Sequence, residues 1–154
     1  MVNYLLLQDY AEENLKLASY DMTDIVSKIK ALKEGYDHLN NFSFKERQDL
    51  AESVGNLMVR CLELGAMLRW DPDKTFNPTE TRNIIECYQK MGHEIQRFSD
   101  LYSEQSDNPQ LRDSLGNLMG YCNGMMEGLE VSEYQTLTSI LVSNENQLRE
   151  QNPY

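Results

Sequence analysis

The chain has 154 residues, 40% hydrophobic and 25% charged, which is enough apolar material for one domain with a sizeable core. Its net charge of −11 speaks against direct contact with nucleic acid, whose phosphates need a basic face. No apolar run approaches the ~20 residues of a membrane-spanning helix, so no membrane association is expected.

The run "YLLL" at 4–7 is short for the core of a signal peptide, and Asp9, Glu12 and Glu13 follow it. With three cysteines read as reduced thiols, a cytoplasmic protein is expected. Ala11, Leu15, Ala18, Met22, Ile25, Ile29, Leu32, Tyr36 and Leu39 step by alternating fours and threes. That spacing predicts one long helix from about Tyr4 to Leu39, bent near Ser19–Asp21 and ended by Asn40-Asn41. Ser43 and Glu46 form a capping box for a second helix, whose stripe is Leu50, Val54, Leu57, Cys61, Leu64 and Leu68. Trp70 closes that helix before "WDPDKTFNP", which reads as a polar loop with two prolines.

Asn77 followed by Pro78 predicts the start of a third helix, with Ile84, Tyr88, Met91, Ile95, Phe98 and Tyr102 on its stripe. Asn108-Pro109 repeats the signal for a fourth, whose stripe is Leu111, Leu115, Leu118, Cys122, Met125 and Leu129. Ser132 with Gln135 opens a fifth helix over 132–150, with Tyr134, Leu137, Leu141 and Leu148 on one side.

"SVGNLMVRC" at 53–61 matches "SLGNLMGYC" at 114–122 in six of nine positions, and the preceding helices align at an offset of 59. This reads as a duplicated helical hairpin, 23–68 and 82–129. The expected fold is therefore all-α: an antiparallel bundle of about five helices, built from the duplicated hairpin with an added C-terminal helix.

The fourth helix carries Gly116, Gly120, Gly124 and Gly128, in a slanted row about 150° from its apolar stripe. Relative to alanine, four such glycines cost about 4 kcal/mol of helix propensity. The bare row would let another backbone approach closely, at the roughly −50° crossing its slant suits. Three readings stay open: the C-terminal helix lies across the row, a second copy or a partner's helix does, or the glycines break the helix near 120–124. Tyr121 borders the row with Asp113, Asn117 and Glu127, so Asp113, Gly116, Asn117, Gly120, Tyr121, Gly124, Glu127 and Gly128 form the candidate partner-binding surface.

From Phe98 onward nine acids face only Arg112 and Arg149, a net −7. The two readings of this excess are a solvated face and a docking face for a basic protein partner. Eight methionines read as gap-filling core, or as an adaptable groove for a partner's helix. His38 and His93 stand in no catalytic pattern, and no cofactor or metal motif is present, so neither a cofactor nor a metal is expected. The expected function is a non-enzymatic protein-binding protein of adaptor, inhibitor, immunity or chaperone type, acting through an acidic helical surface, with a homodimer as a further expectation. The alternative is an enzyme or small-ligand receptor with a site between the two hairpins, formed by Asn56, Asn117, His93 and Glu94.

Overall fold

The computed structural model describes residues 2–40 and 47–151, and all regular structure within them is helical. Seven helices are present among the described residues: α1 (Tyr4–Leu17), α2 (Ile25–Asn40), α3 (Arg47–Met67), α4 (Pro72–Thr75), α5 (Ile84–Glu104), α6 (Gln110–Gly128) and α7 (Glu133–Gln151). Seven replaces the expected five or so for two local reasons.

First, the long N-terminal helix is broken. Ser19 takes a left-handed conformation (φ 56°), and the Tyr20 amide reaches back to the Leu15 carbonyl, which ends α1. Asp24 then accepts from the Ser27 amide at 3.1 Å and starts α2 afresh. Second, the polar loop contains a helical turn. Asp71 caps it by accepting from the Asp73 amide, and Pro72 sits at its first position, where its missing N–H costs nothing. The proposed Ser43–Glu46 box lies outside the described residues.

Helices α3 and α6 end as α1 does, each on one non-glycine residue at positive φ: Arg69 (61°) and Glu130 (59°). The Trp70 and Val131 amides bond to Gly65 and Met126, five residues back. The start of α7 follows the sequence, with Ser132 accepting from Gln135, whereas α6 starts at Gln110 with Pro109 rather than Asn108 in the cap position, and Asn108 accepts from the Gln110 amide.

Two antiparallel hairpins form the frame. In the first, Lys28 meets Glu63 and Arg60 bonds to the Ala31 carbonyl, which sets α2 against α3. In the second, Cys87 lies beside Gly124, Lys90 beside Tyr121 and Arg97 beside Asp113, which sets α5 against α6. Helix α3 is central and touches α1, α2, α6 and α7. Its stripe residues Leu50, Val54, Leu57, Cys61 and Leu64 are buried, as are Leu111, Leu115, Leu118, Cys122, Met125 and Leu129 of the second hairpin. Each buried leucine contributes about 2 kcal/mol relative to exposure. Met58, Met91, Met119, Met125 and Met126 are core residues, so the gap-filling reading of the methionines holds for them. No helix among the described residues is long and apolar enough to cross a membrane.

Candidate functional site

Helix α6 is continuous through its glycines, and none has a positive φ, which removes the broken-helix reading. The row is occupied, and the occupant is not the C-terminal helix. The chain from Thr75, the last residue of α4, to Arg82 runs along it as an extended strap. A methyl group at Gly116 would overlap the Thr75 carbonyl, one at Gly120 the Asn77 carbonyl, and one at Gly128 the Arg82 carbonyl. At Gly124 it would stand 2.7 Å from the Thr81 oxygen.

The fit follows from two repeats. Four helical residues rise about 6 Å, and two extended residues span about 6.6 Å. The repeats match from Gly116 to Gly120, where Thr75 and Asn77 supply the carbonyls, and not beyond, where Thr81 and Arg82 supply those at Gly124 and Gly128. Asn77, Thr79 and Thr81 are partly buried, while Pro78, Glu80 and Arg82 between them are exposed, the alternation of an extended chain. Asn77 is thus not the cap of the third helix, which starts at Ile84 after Asn83 caps Glu86.

Side chains lock the strap in place. The Asn77 carboxamide donates to Asp113 Oδ1 at 3.2 Å and to Asn117 Oδ1 at 3.1 Å. Asn117 in turn donates to Glu94 Oε1, whose other oxygen accepts from the buried Ser114 hydroxyl at 2.8 Å. Arg97 reaches both Glu94 (3.4 Å) and Asp113 (3.6 Å). At the far end Arg82 pairs with Glu127. Tyr121 carries Lys90 over its ring, and burial holds its phenol above the ordinary value. Seven of the eight candidate surface residues therefore meet the strap, while Tyr121 meets Lys90 of α5, and a second helix could reach the glycines only after the strap had left.

The four residues of the alternative site do not converge. Asn117 and Glu94 bond to each other, but His93 is exposed and Asn56 lines a cleft on α3. The C-terminal acids are dispersed as well. Asp113, Glu127 and Glu145 have arginine partners, and Glu133 is buried. Asp100, Glu104 and Asp107 sit at one end of the α5–α6 hairpin, and Glu130 follows its other end.

Glu133 is the first residue of α7. It accepts from the Tyr4 hydroxyl (2.8 Å) and from Asn123 (2.6 Å), tying α1, α6 and α7 together. Burial raises its pKa and that of Tyr4. Cys122 shares a hydrogen bond with Cys61; that contact first, then burial, holds its thiol well above its ordinary value. Both thiols are buried in the core, and that of Cys122 stays protonated.

Two concavities were not legible in the sequence. A cavity of about 280 Å³ lies where α1, α2, α3 and α7 meet. Its wall holds the Lys28–Glu63 pair (3.1 Å) and Asn14, whose amide bonds to the Leu141 carbonyl. The larger is a cleft of about 770 Å³ between α3 and α7. Among the described residues its lining is almost wholly uncharged and polar: carboxamides from both helices, hydroxyls from α7 such as Ser139 and Ser143, and one carboxylate, Glu52. No charged residue occurs from Tyr134 to Asn144, in a chain one quarter charged. No single stretch of sequence carries this cleft, because it is assembled from residues some eighty positions apart.

Compared with known proteins, the chain matches no family model, no curated protein and no solved structure.

Proposed function

We propose that this chain is a non-enzymatic protein-binding module of adaptor or inhibitor type, and that it binds through the α3–α7 cleft. The cleft is the observation that carries the reading. It is large, open, and rich in groups that both donate and accept hydrogen bonds, on a molecule whose remaining surface is strongly acidic. The net charge favours a basic partner by steering it electrostatically. We also read the two hairpins as copies of one unit. Helices α2 and α5 begin 59 residues apart, the offset at which their sequences align, and α3 and α6 share Gly-Asn-Leu-Met at one phase.

A photo-reactive p-benzoylphenylalanine in place of Ser139, on the cleft, tests this in cells against the same group in place of Gln96, exposed on α5. The expected outcome is one adduct of defined mass from position 139 and none from 96. Equal labelling at both, or none at 139, overturns the reading.

A second reading, a small-ligand receptor, is supported by the cavity at the α1–α2–α3–α7 junction. Its Lys28–Glu63 pair and Asn14 combine buried polar groups with an apolar wall formed by Leu15, Val59 and Leu141. Native mass spectrometry of the purified chain would then show a retained small molecule that Val59→Trp expels.

A further inference from the structure

We propose that the α3–α7 cleft takes an extended peptide segment carrying a basic side chain, with its main chain paired to the cleft's carboxamides and its cation at Glu52; this rests on the protein-binding reading above. Five carboxamides face the cleft: Gln48 and Asn56 from α3, and Gln135, Asn144 and Gln147 from α7. Each offers a donor and an acceptor, the same pair that every residue of an extended backbone presents. A helical partner has already spent those backbone groups within itself and would leave the carboxamides to its side chains alone.

The dimensions agree. Gln135, Ser139, Ser143 and Gln147 form an exposed row on α7 at four-residue spacing, about 18 Å long. That length matches about six extended residues, two per helical step. The molecule already lays one extended segment along a helix: the strap runs over the glycine row of α6, and its Asn77 side chain donates to the carboxamide of Asn117. Ser139 and Ser143 are short, so they leave room for a chain where the bulkier ends of the row flank it. Asn56 donates to the Glu52 carbonyl, which leaves its carboxamide oxygen as an acceptor beside the Glu52 carboxylate. Glu52 is exposed and lies in no ion pair among the described residues, so it is placed to receive a cation.

The probe is a capped hexapeptide of alternating lysine and serine, titrated into the isotopically labelled full chain and followed by NMR. Saturable shifts of the side-chain amide signals of Asn56, Asn144 and Gln147 are expected. Methylating alternate backbone nitrogens of the peptide should weaken binding by at least about tenfold, because main-chain donors are lost. E52Q should weaken it by about fivefold at low salt. S139W should block it, and S143R, on the same exposed row, replaces that variant if circular dichroism shows it misfolded. Equal affinity for the N-methylated peptide, for a glutamate-serine analogue or for the S143R protein overturns the proposal, as does self-association or an oligosaccharide moving the same signals in place of the peptide. If the peptide has no effect while the Ser139 photo-adduct persists, this inference falls and the protein-binding reading stands. If both are absent, both fall.

Discussion

Helices α3 and α6 share Gly-Asn-Leu-Met and bury the same phase of it, yet their glycine flanks are closed by different means. At Gly55 of α3 the neighbours are the tips of α7 side chains, Ile140 Cδ1 and Thr136 Cγ2, at 2.7 and 2.9 Å from where a Cβ would stand. At Gly116 and Gly120 of α6 the neighbours are strap carbonyls. Rotamers can give way, whereas a carbonyl held at both ends by its own chain cannot move without shifting the whole segment. One glycine suffices where side chains close the gap, and a row of four is present where backbone does.

The comparison breaks most visibly at the strap. Replacing both Gly116 and Gly120 by alanine should cost about 4 kcal/mol, because overpacking against fixed carbonyls exceeds the roughly 1 kcal/mol per site that alanine returns in helix propensity. Urea unfolding of the monomer measures this, and an unchanged midpoint would mean that the strap does not sit on the row.

Next comes the anchor of α7. Tyr4→Phe removes one of the two donors to Glu133 and should cost about 2 kcal/mol, through a buried acceptor left short of partners. The same carboxylate carries a pH signature. Its folded pKa lies above its ordinary value of 4.5 because of burial, so between those values the native state holds more protons than the unfolded one. The resulting stabilisation is fully present below 4.5 and is lost as pH rises through the folded value. Glu133→Gln should therefore flatten stability against pH in that window, and parallel pH series of the two proteins test it.

Gly55→Ala is the control for Gly120→Ala. A net change within about 1 kcal/mol is expected, since side-chain adjustment and improved propensity oppose each other. A loss as large as that at Gly120 would erase the distinction between the two flanks. Smallest is Glu127→Gln, which removes the exposed pair with Arg82 and should cost about 0.5 kcal/mol, less at high salt.

Helical stripes were legible because burial imposes a period, and residues from Leu50 to Leu64 and from Leu111 to Leu129 fall inside as read. Tyr134 departs from that pattern: it keeps company with Leu137 and Leu141 in the stripe, yet it is 47% exposed. The strap escaped detection because Asn77-Pro78 suits an extended entry as well as a helix start; only the partners of the Asn77 side chain separate the two. The glycine row announced a close backbone neighbour, but whether that neighbour was helix or strap depended on a segment with no apolar period. The α3–α7 cleft left no trace, since amides and hydroxyls on two remote helices form no motif until folding brings them together.

The strap lies against α6 with main-chain oxygens over the glycines, and its inward Asn77 holds it through its amide and side chain. Its outward positions Pro78 and Glu80 are exposed and can change with little penalty, while the four glycine sites beneath the strap have no room for a side chain. Mutational freedom is thus divided unequally between two surfaces in contact: one partner can drift in sequence, and the other is confined to a single amino acid.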